Sequence, residues 1–210
     1  MSPIPNSNLR GHKRLHDRVV RALETCQELQ SVDFKESATW DDLKWRIICT
    51  AMGMGNLRDG GVVVIGVSER NEKWTLTGIT NDHLATFDTD DMIDVINKYV
   101  SPPMEPDVVI VEHDGQTYLA IQFEEFVKTP FVCRKNSPDS IKKRFYESNI
   151  FIRPPGKPQT KRVMNAAEMD DLLELAGEKR ARKIIETVRR IGLSPSEPSV
   201  HNFDNELEGL

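Results

Sequence analysis

The sequence predicts a single α/β (α+β) domain in which flanking helices cover a mixed, mostly antiparallel sheet, followed by a long C-terminal helix. The apolar run 62–67 follows the turn residues Asp59-Gly60-Gly61 and is typical of a buried strand. Segments 108–111 and 118–123 flank Asp114-Gly115 in the pattern of a β-hairpin. A chain of 210 residues can bury a substantial core in one domain but is short for two.

The other elements are predicted from local periodicity and end signals. They are a helix over 16–29, a short strand over 32–35, a helix from 39 to about 56, a strand over 74–77 that pairs with the run 62–67, a helix over 88–100, a last strand over 149–153, and an amphipathic helix that opens at the capping pair Asn165 and Glu168. The predicted division is a flexible arm 1–12, a domain 13–163, a C-terminal helix 164–192 and a disordered tail 193–210.

Composition excludes several classes of protein. The chain contains no apolar run of membrane-spanning length and no secretory signal, so we expect a cytoplasmic protein without a membrane partner. Cys26, Cys49 and Cys133 are odd in number and widely spaced, which argues against a disulfide framework and a zinc knuckle. The five histidines show no ligand spacing, and the sequence holds no phosphate loop of the Walker type.

The net charge of −5 hides a strong internal asymmetry. Residues 69–115 carry eleven acids against three bases, whereas residues 128–162 carry ten bases against two acids. Such a basic stretch is a candidate phosphate-binding surface, and the alternative is a solvated loop. The candidate nucleic-acid-binding residues are Arg134, Lys135, Lys142, Lys143, Arg144, Arg153, Lys157, Lys161 and Arg162.

The candidate chemical site is built from three carboxylates and a lysine. Glu28 and Asp33 lie at a helix-to-strand junction, Lys35 projects to the same strand face as Asp33, and Glu69 follows the buried strand. Three converging carboxylates need a divalent cation, and hard oxygen ligands suit Mg²⁺ or Mn²⁺. Such an ion could activate water on a phosphodiester while Lys35 holds a phosphate. The alternative is that Glu28 pairs locally, Asp33 faces solvent and Glu69 is a turn acid.

A set of motifs in fixed order supports the first interpretation. Glu28-x4-Asp33-Phe34-Lys35 is followed by a helix, by the segment 51–61 (AMGMGNLRDGG), by the strand 62–69 (VVVIGVSE) and by Gly78-Ile79. Over about residues 20–180 this order resembles the core of the Schlafen family and its bacterial AlbA_2 relatives, with E-x4-E-F-K, A-x-A-N-x-x-G-G, a strand ending G-V-x-D, and a returning G-I. Asp33 stands where the family has Glu, and Glu69 where it has Asp.

The resemblance implies a function in nucleic-acid chemistry. In relatives that cut RNA, the corresponding acids form a metal-dependent nuclease site, which implies catalytic and metal-binding roles for Glu28, Asp33 and Glu69, with Lys35 positioning phosphate. The expected activity is therefore a metal-dependent endoribonuclease acting on RNA such as tRNA, with DNA as the other candidate partner and a homodimer as the expected assembly. The alternatives are a non-catalytic DNA- or RNA-binding regulatory module and a protein-interaction domain that uses the C-terminal helix.

Overall fold

The computed structural model describes residues 9–71, 73–141, 145–156 and 158–192. Its helices are α1 (Leu9–Thr25), α2 (Trp40–Gly55), α3 (Asn81–Leu84), α4 (Thr89–Tyr99) and α5 (Ala166–Arg190). Its strands are β1 (Val32–Lys35), β2 (Gly61–Ile65), β3 (Val67–Arg70), β4 (Lys73–Leu76), β5 (Val100–Ser101), β6 (Asp107–His113), β7 (Gln116–Phe123), β8 (Val132–Cys133), β9 (Phe151–Ile152) and β10 (Lys161–Arg162). The predicted fold class is confirmed.

A four-stranded sheet in the order β1-β2-β7-β6 forms the centre of the domain. β1 and β2 are parallel and are joined through α2, whereas β2, β7 and β6 pair antiparallel. In the register of the parallel pair, Asp33 lies beside Val63 and Lys35 beside Ile65. Since Val63 and Ile65 pack in the core cluster that includes α2, Asp33 and Lys35 lie on the α2 side of the sheet.

Each face of the sheet is covered by its own helices. Leu15, Val19 and Leu23 of α1 pack on one face against alternate residues of β1, β2 and β7. The other face packs against α2, α4 and the first half of α5, where Leu172, Leu175 and Ala176 are buried. Successive residues of β2 and of the middle of β7 are apolar and point to opposite faces, which explains this two-sided burial. β1 is therefore an edge strand between two helical layers.

Glycines with positive φ lie directly before and directly after β2. Gly60 has φ +63°, and a Cβ there would lie 2.1 Å from the Phe123 carbonyl oxygen, so the turn before β2 accepts glycine only. Gly66 has φ +115° and separates β2 from β3. The predicted continuous strand 62–67 therefore stops at Ile65, and β4 pairs with β3 in a separate hairpin instead of with β2.

Other boundaries also differ from the sequence predictions. α1 spans Leu9–Thr25 instead of 16–29, so it starts within the predicted arm 1–12, and the last predicted strand shortens to β9, which pairs with β10. Residues 1–8 and 193–210, which carry the rest of the predicted arm and the predicted tail, lie outside the described residues. No disulfide joins Cys26, Cys49 and Cys133. No helix in the described part of the chain has the length and apolar character that a membrane crossing requires.

Candidate functional site

One groove brings the predicted site residues together. Its volume is about 1110 Å³, and Glu28, Asp33, Lys35 and Glu69 all line it. The other lining residues come mainly from β1, α2, the β3–β4 hairpin and the segments 140–141 and 158–160. Residues 41 positions apart in sequence, such as Glu28 and Glu69, thus line a common space. We call this space the β1–α2 groove.

Asp33 is bound to two cations. Its side chain is almost buried, with Arg153 Nη1 at 3.1 Å from Oδ1, while the Lys35 ammonium donates to Oδ2. Lys35 also donates to the Phe34 carbonyl at 3.2 Å. A buried carboxylate with one guanidinium and one ammonium is neutralised and held in place. Asp33 is therefore buried, whereas the alternative interpretation of the sequence expects it to face solvent.

Arg153 corrects a sequence prediction. Its side chain is 0% exposed, so it lies inside the domain and not on the basic surface where it is predicted. It donates from Nε to the Gln30 carbonyl at 2.6 Å and from Nη2 to the Pro158 carbonyl at 2.6 Å, besides its ion pair with Asp33. The guanidinium joins the start of β1 to the segment around residue 158, and so fixes one wall of the β1–α2 groove.

Glu28 covers the free edge of β1. Its Oε1 accepts a hydrogen bond from the Phe34 N–H at 3.0 Å, and on an edge strand such an N–H has no neighbouring strand to pair with. Burial raises the pKa of Glu28, and the charge of Asp33 adds to the rise, while the Phe34 N–H and the charges of Lys35 and Arg153 act in the other direction. Glu28 therefore holds its proton to higher pH than an exposed glutamate does.

Glu69 lies on β3 directly opposite Trp74 of β4, and its side chain is exposed. In this arrangement both Asp33 oxygens accept from cations and one Glu28 oxygen accepts from the Phe34 N–H, so a shared ion at the three predicted ligands stays a prediction. Among the residues that the structure describes, no three His, Cys, Asp or Glu side chains are grouped so as to hold a metal ion. An Mg²⁺ or Mn²⁺ ion at this place would have to displace Lys35 or Arg153 from Asp33.

The predicted basic surface is only partly described. Arg134, Lys135 and Arg162 are exposed, and Lys161 forms an ion pair with Glu168 at the start of α5. Lys142, Lys143, Arg144 and Lys157 lie outside the described residues. Their chain neighbours Ile141 and Pro158 line the β1–α2 groove. Phosphate contacts by the exposed members of this set stay a prediction.

Three groove residues were not predicted as site residues. Trp45, Arg46 and Trp74 line the groove, Arg46 is exposed, and both tryptophans are half-buried. Trp74 packs edge-on against Phe34 at 5.4 Å between ring centroids, and Trp45 packs edge-on against Tyr99 at 5.2 Å. The β3–β4 pairing places Trp74 opposite Glu69. The sequence would therefore indicate Trp74 as a site residue only if this pairing were already known. The two tryptophans therefore combine aromatic packing with a place at the groove.

Comparisons with known proteins concern the family and the fold. The family model described as Schlafen, AlbA_2 matches residues 28–157, more than half of the chain. No curated protein sequence matches the chain. A crystal structure of the DIP2311 protein from Corynebacterium diphtheriae is similar at 18% identity and a TM-score of 0.50, over 77% of this chain and 28% of that one. The present chain thus spans under a third of that protein, and the likeness shows the fold alone.

A second solved structure has a weaker likeness. It is the solution structure of the N-terminal domain of a DNA helicase RecG-related protein from Nitrosomonas europaea, at 14% identity and a TM-score of 0.40. The similarity covers 72% of this chain and 94% of that one.

Proposed function

Because the chain belongs to the Schlafen AlbA_2 family, we propose that it is a nucleic-acid-binding protein that holds single-stranded regions of RNA, such as those of tRNA, in the β1–α2 groove. The observation that carries this proposal is the meeting of the family motif residues Glu28, Asp33, Lys35 and Glu69 with two half-buried tryptophans in one groove. The motif and the aromatic residues come from separate parts of the chain, and the fold alone brings them together.

The groove residues suit exposed bases better than a duplex. Tryptophan faces stack on unpaired bases of any sequence, and each such contact contributes about 1–3 kcal/mol to binding. Trp74 lies on the β3–β4 hairpin and Trp45 on α2, and both line the groove. A duplex hides its base faces, so this kind of contact requires a loop, a bulge or an end.

Carboxylates in the groove favour RNA over DNA. Glu69 is exposed, and its oxygens can accept hydrogen bonds from base amino groups or from a ribose 2′-hydroxyl, a donor that DNA lacks. The Lys35 ammonium keeps one of its three donor positions beyond Asp33 and Phe34, which suits a phosphate oxygen. Arg46 supplies a second cation at the same groove.

Cleavage of the bound RNA is the second candidate function. The observation that favours it is Glu28, a groove carboxyl whose pKa is raised by burial, because a carboxyl that holds its proton more strongly than an exposed one is a candidate general acid. Labelled tRNA incubated with Mn²⁺ or with EDTA decides this point. Fragments that appear with Mn²⁺ and vanish with EDTA and in Glu69→Gln would assign an endoribonuclease, whereas intact RNA would leave a binding module.

Trp74→Leu is expected to weaken binding of a fluorescein-labelled 12-nucleotide RNA by about 5- to 150-fold, because one stacking contact is lost. Fluorescence anisotropy at low salt measures the affinity, with a DNA of the same sequence in parallel. The matched control is Tyr146→Leu, which removes an exposed aromatic side chain that does not line the groove. Equal affinities of both variants and the native protein would contradict the proposed function.

A further inference from the structure

A basic cavity lies on α1, on the far side of β1 from the groove. Arg14, Arg18 and Arg21 are spaced by four and three residues, so they lie on one face of the helix. All three line a cavity of about 410 Å³ whose other wall includes Ser31 and Val32 beside the edge strand. We call it the α1 cavity. The family model match begins at residue 28, so the three arginines precede the matched segment.

The lining of the α1 cavity carries more positive than negative charge. Asp17 is the single carboxylate among the described residues that line the cavity, and within the described part of the chain no carboxylate lies within ion-pair distance of Arg14, Arg18 or Arg21. Arg14 and Arg21 are exposed. Arg18 is half-buried and makes only long contacts, to the Ser31 carbonyl at 3.4 Å and the Gly60 carbonyl at 3.5 Å.

The partial burial of Arg18 favours the binding of an anion beside its guanidinium. Desolvation lowers the pKa of the Arg18 guanidinium, against the opposing charge of Asp59. An anion entering the cavity would offset that desolvation, since a guanidinium and a phosphate form short, often two-pronged hydrogen bonds. Three guanidinium groups on successive turns also match a ligand that carries phosphates at intervals.

The β1–α2 groove is lined by more carboxylates than cations, so a polyanion that enters it requires cations nearby. The described groove lining holds six carboxylates, on Glu28, Asp33, Glu36, Asp41, Asp42 and Glu69, against the two cations Lys35 and Arg46. A groove with this excess of negative charge repels a polyanion unless cations stand close by. Glu28 and Asp33 line the groove while Leu29, Ser31 and Val32 line the α1 cavity, so the two sites share the edge segment 28–33.

We propose that the α1 cavity binds backbone phosphates of the same nucleic-acid strand whose bases occupy the β1–α2 groove. This nucleic-acid strand passes over the edge of β1. This inference rests on the proposed function and adds a phosphate-binding site outside the family-matched segment. The site takes phosphodiester groups through Arg14 and Arg21, with Arg18 behind them. The strand is thereby held by its phosphates on one side of β1 and by its bases on the other.

The test is the double variant Arg14→Gln/Arg21→Gln, which keeps the half-buried Arg18. We expect affinity for the 12-nucleotide RNA to fall about 10-fold or more at low salt. The slope of log affinity against log salt should become shallower by about 1.4, because each phosphate contact on a single strand contributes about 0.7. The matched control is Arg180→Gln/Arg189→Gln, which removes two exposed arginines from α5 and should leave affinity and slope unchanged.

The outcomes separate this inference from the proposed function. If the native protein binds RNA and Trp74→Leu weakens it, but the α1 double variant binds as the native protein does, the α1 inference is overturned and the groove proposal stands. If the native protein binds no RNA, both are overturned. Inorganic phosphate at constant ionic strength should compete only weakly, and full displacement of RNA at millimolar phosphate would overturn the assignment to a polynucleotide backbone.

Discussion

Asp33→Ala is expected to destabilise the folded protein by about 3–5 kcal/mol, because it leaves a buried guanidinium without its carboxylate. The Arg153 side chain is fully buried and the Asp33 side chain is 8% exposed, so water cannot take over the lost interaction. Lys35, which also donates to Asp33, would lose the same carboxylate. Urea unfolding followed by circular dichroism measures the change.

The control for this prediction is Glu69→Ala, another predicted site carboxylate that is exposed instead of buried. Exposed substitutions of this kind usually change stability by less than about 0.5 kcal/mol. If Asp33→Ala unfolds at the same urea concentration as Glu69→Ala, Asp33 has no structural role in the β1–α2 groove. The same pair of variants shows why a functional test at this site should use Glu69: loss of activity in an Asp33 variant would mix catalysis with unfolding.

Asn56→Ala is expected to lower the melting temperature by about 6 °C or more. The Asn56 side chain is buried, donates to the carbonyls of Phe131 and Phe151 at 2.8 and 3.0 Å, and accepts from the Phe131 N–H at 2.7 Å. Each buried group left unpaired costs about 1–3 kcal/mol, and for a domain of this size each kcal/mol lowers the melting temperature by about 2–4 °C. Differential scanning calorimetry provides the measurement.

Asn136→Ala is the matched control, because the Asn136 Oδ1 also accepts a backbone N–H, that of Glu147, but at an exposed position. We expect its melting temperature to change by only a few degrees, since water replaces the lost partner. Equal shifts in both variants would show that the Asn56 hydrogen bonds do not join the 131 and 151 segments to α2. Asn56 belongs to the family motif, so a large stability effect would explain its presence without any contact to a ligand.

Much of the fold follows from local sequence patterns. Two apolar segments on either side of the turn at Asp114-Gly115 define the β6–β7 hairpin, and the apolar run after Gly60-Gly61 defines β2. The same period-two rule places Asp33 and Lys35 on one strand face, and the structure has them in contact. Where a pattern repeats within one element, the sequence alone predicts the element and the direction of its side chains.

The rest depends on contacts between distant segments. Arg153 pairs with Asp33 across 120 residues, and nothing in the periodicity around residue 153 distinguishes a buried arginine from an exposed one. The two-residue strands β5, β8, β9 and β10 are too short to show alternation, so the pairing that holds them is invisible locally. Charge alone identifies the basic stretch 128–162 as a candidate phosphate-binding surface. Charge does not reveal which of its residues are buried.

Hydrogen exchange of the native protein with and without the 12-nucleotide RNA tests the central claim most directly. Binding in the β1–α2 groove predicts slower amide exchange in the peptides that carry its walls, around residues 33–36, 41–50, 67–74 and 158–160, with the β6 strand as the unchanged internal reference. RNA-dependent protection confined to other surfaces, or no protection at RNA concentrations that saturate the anisotropy signal, would contradict binding in this groove.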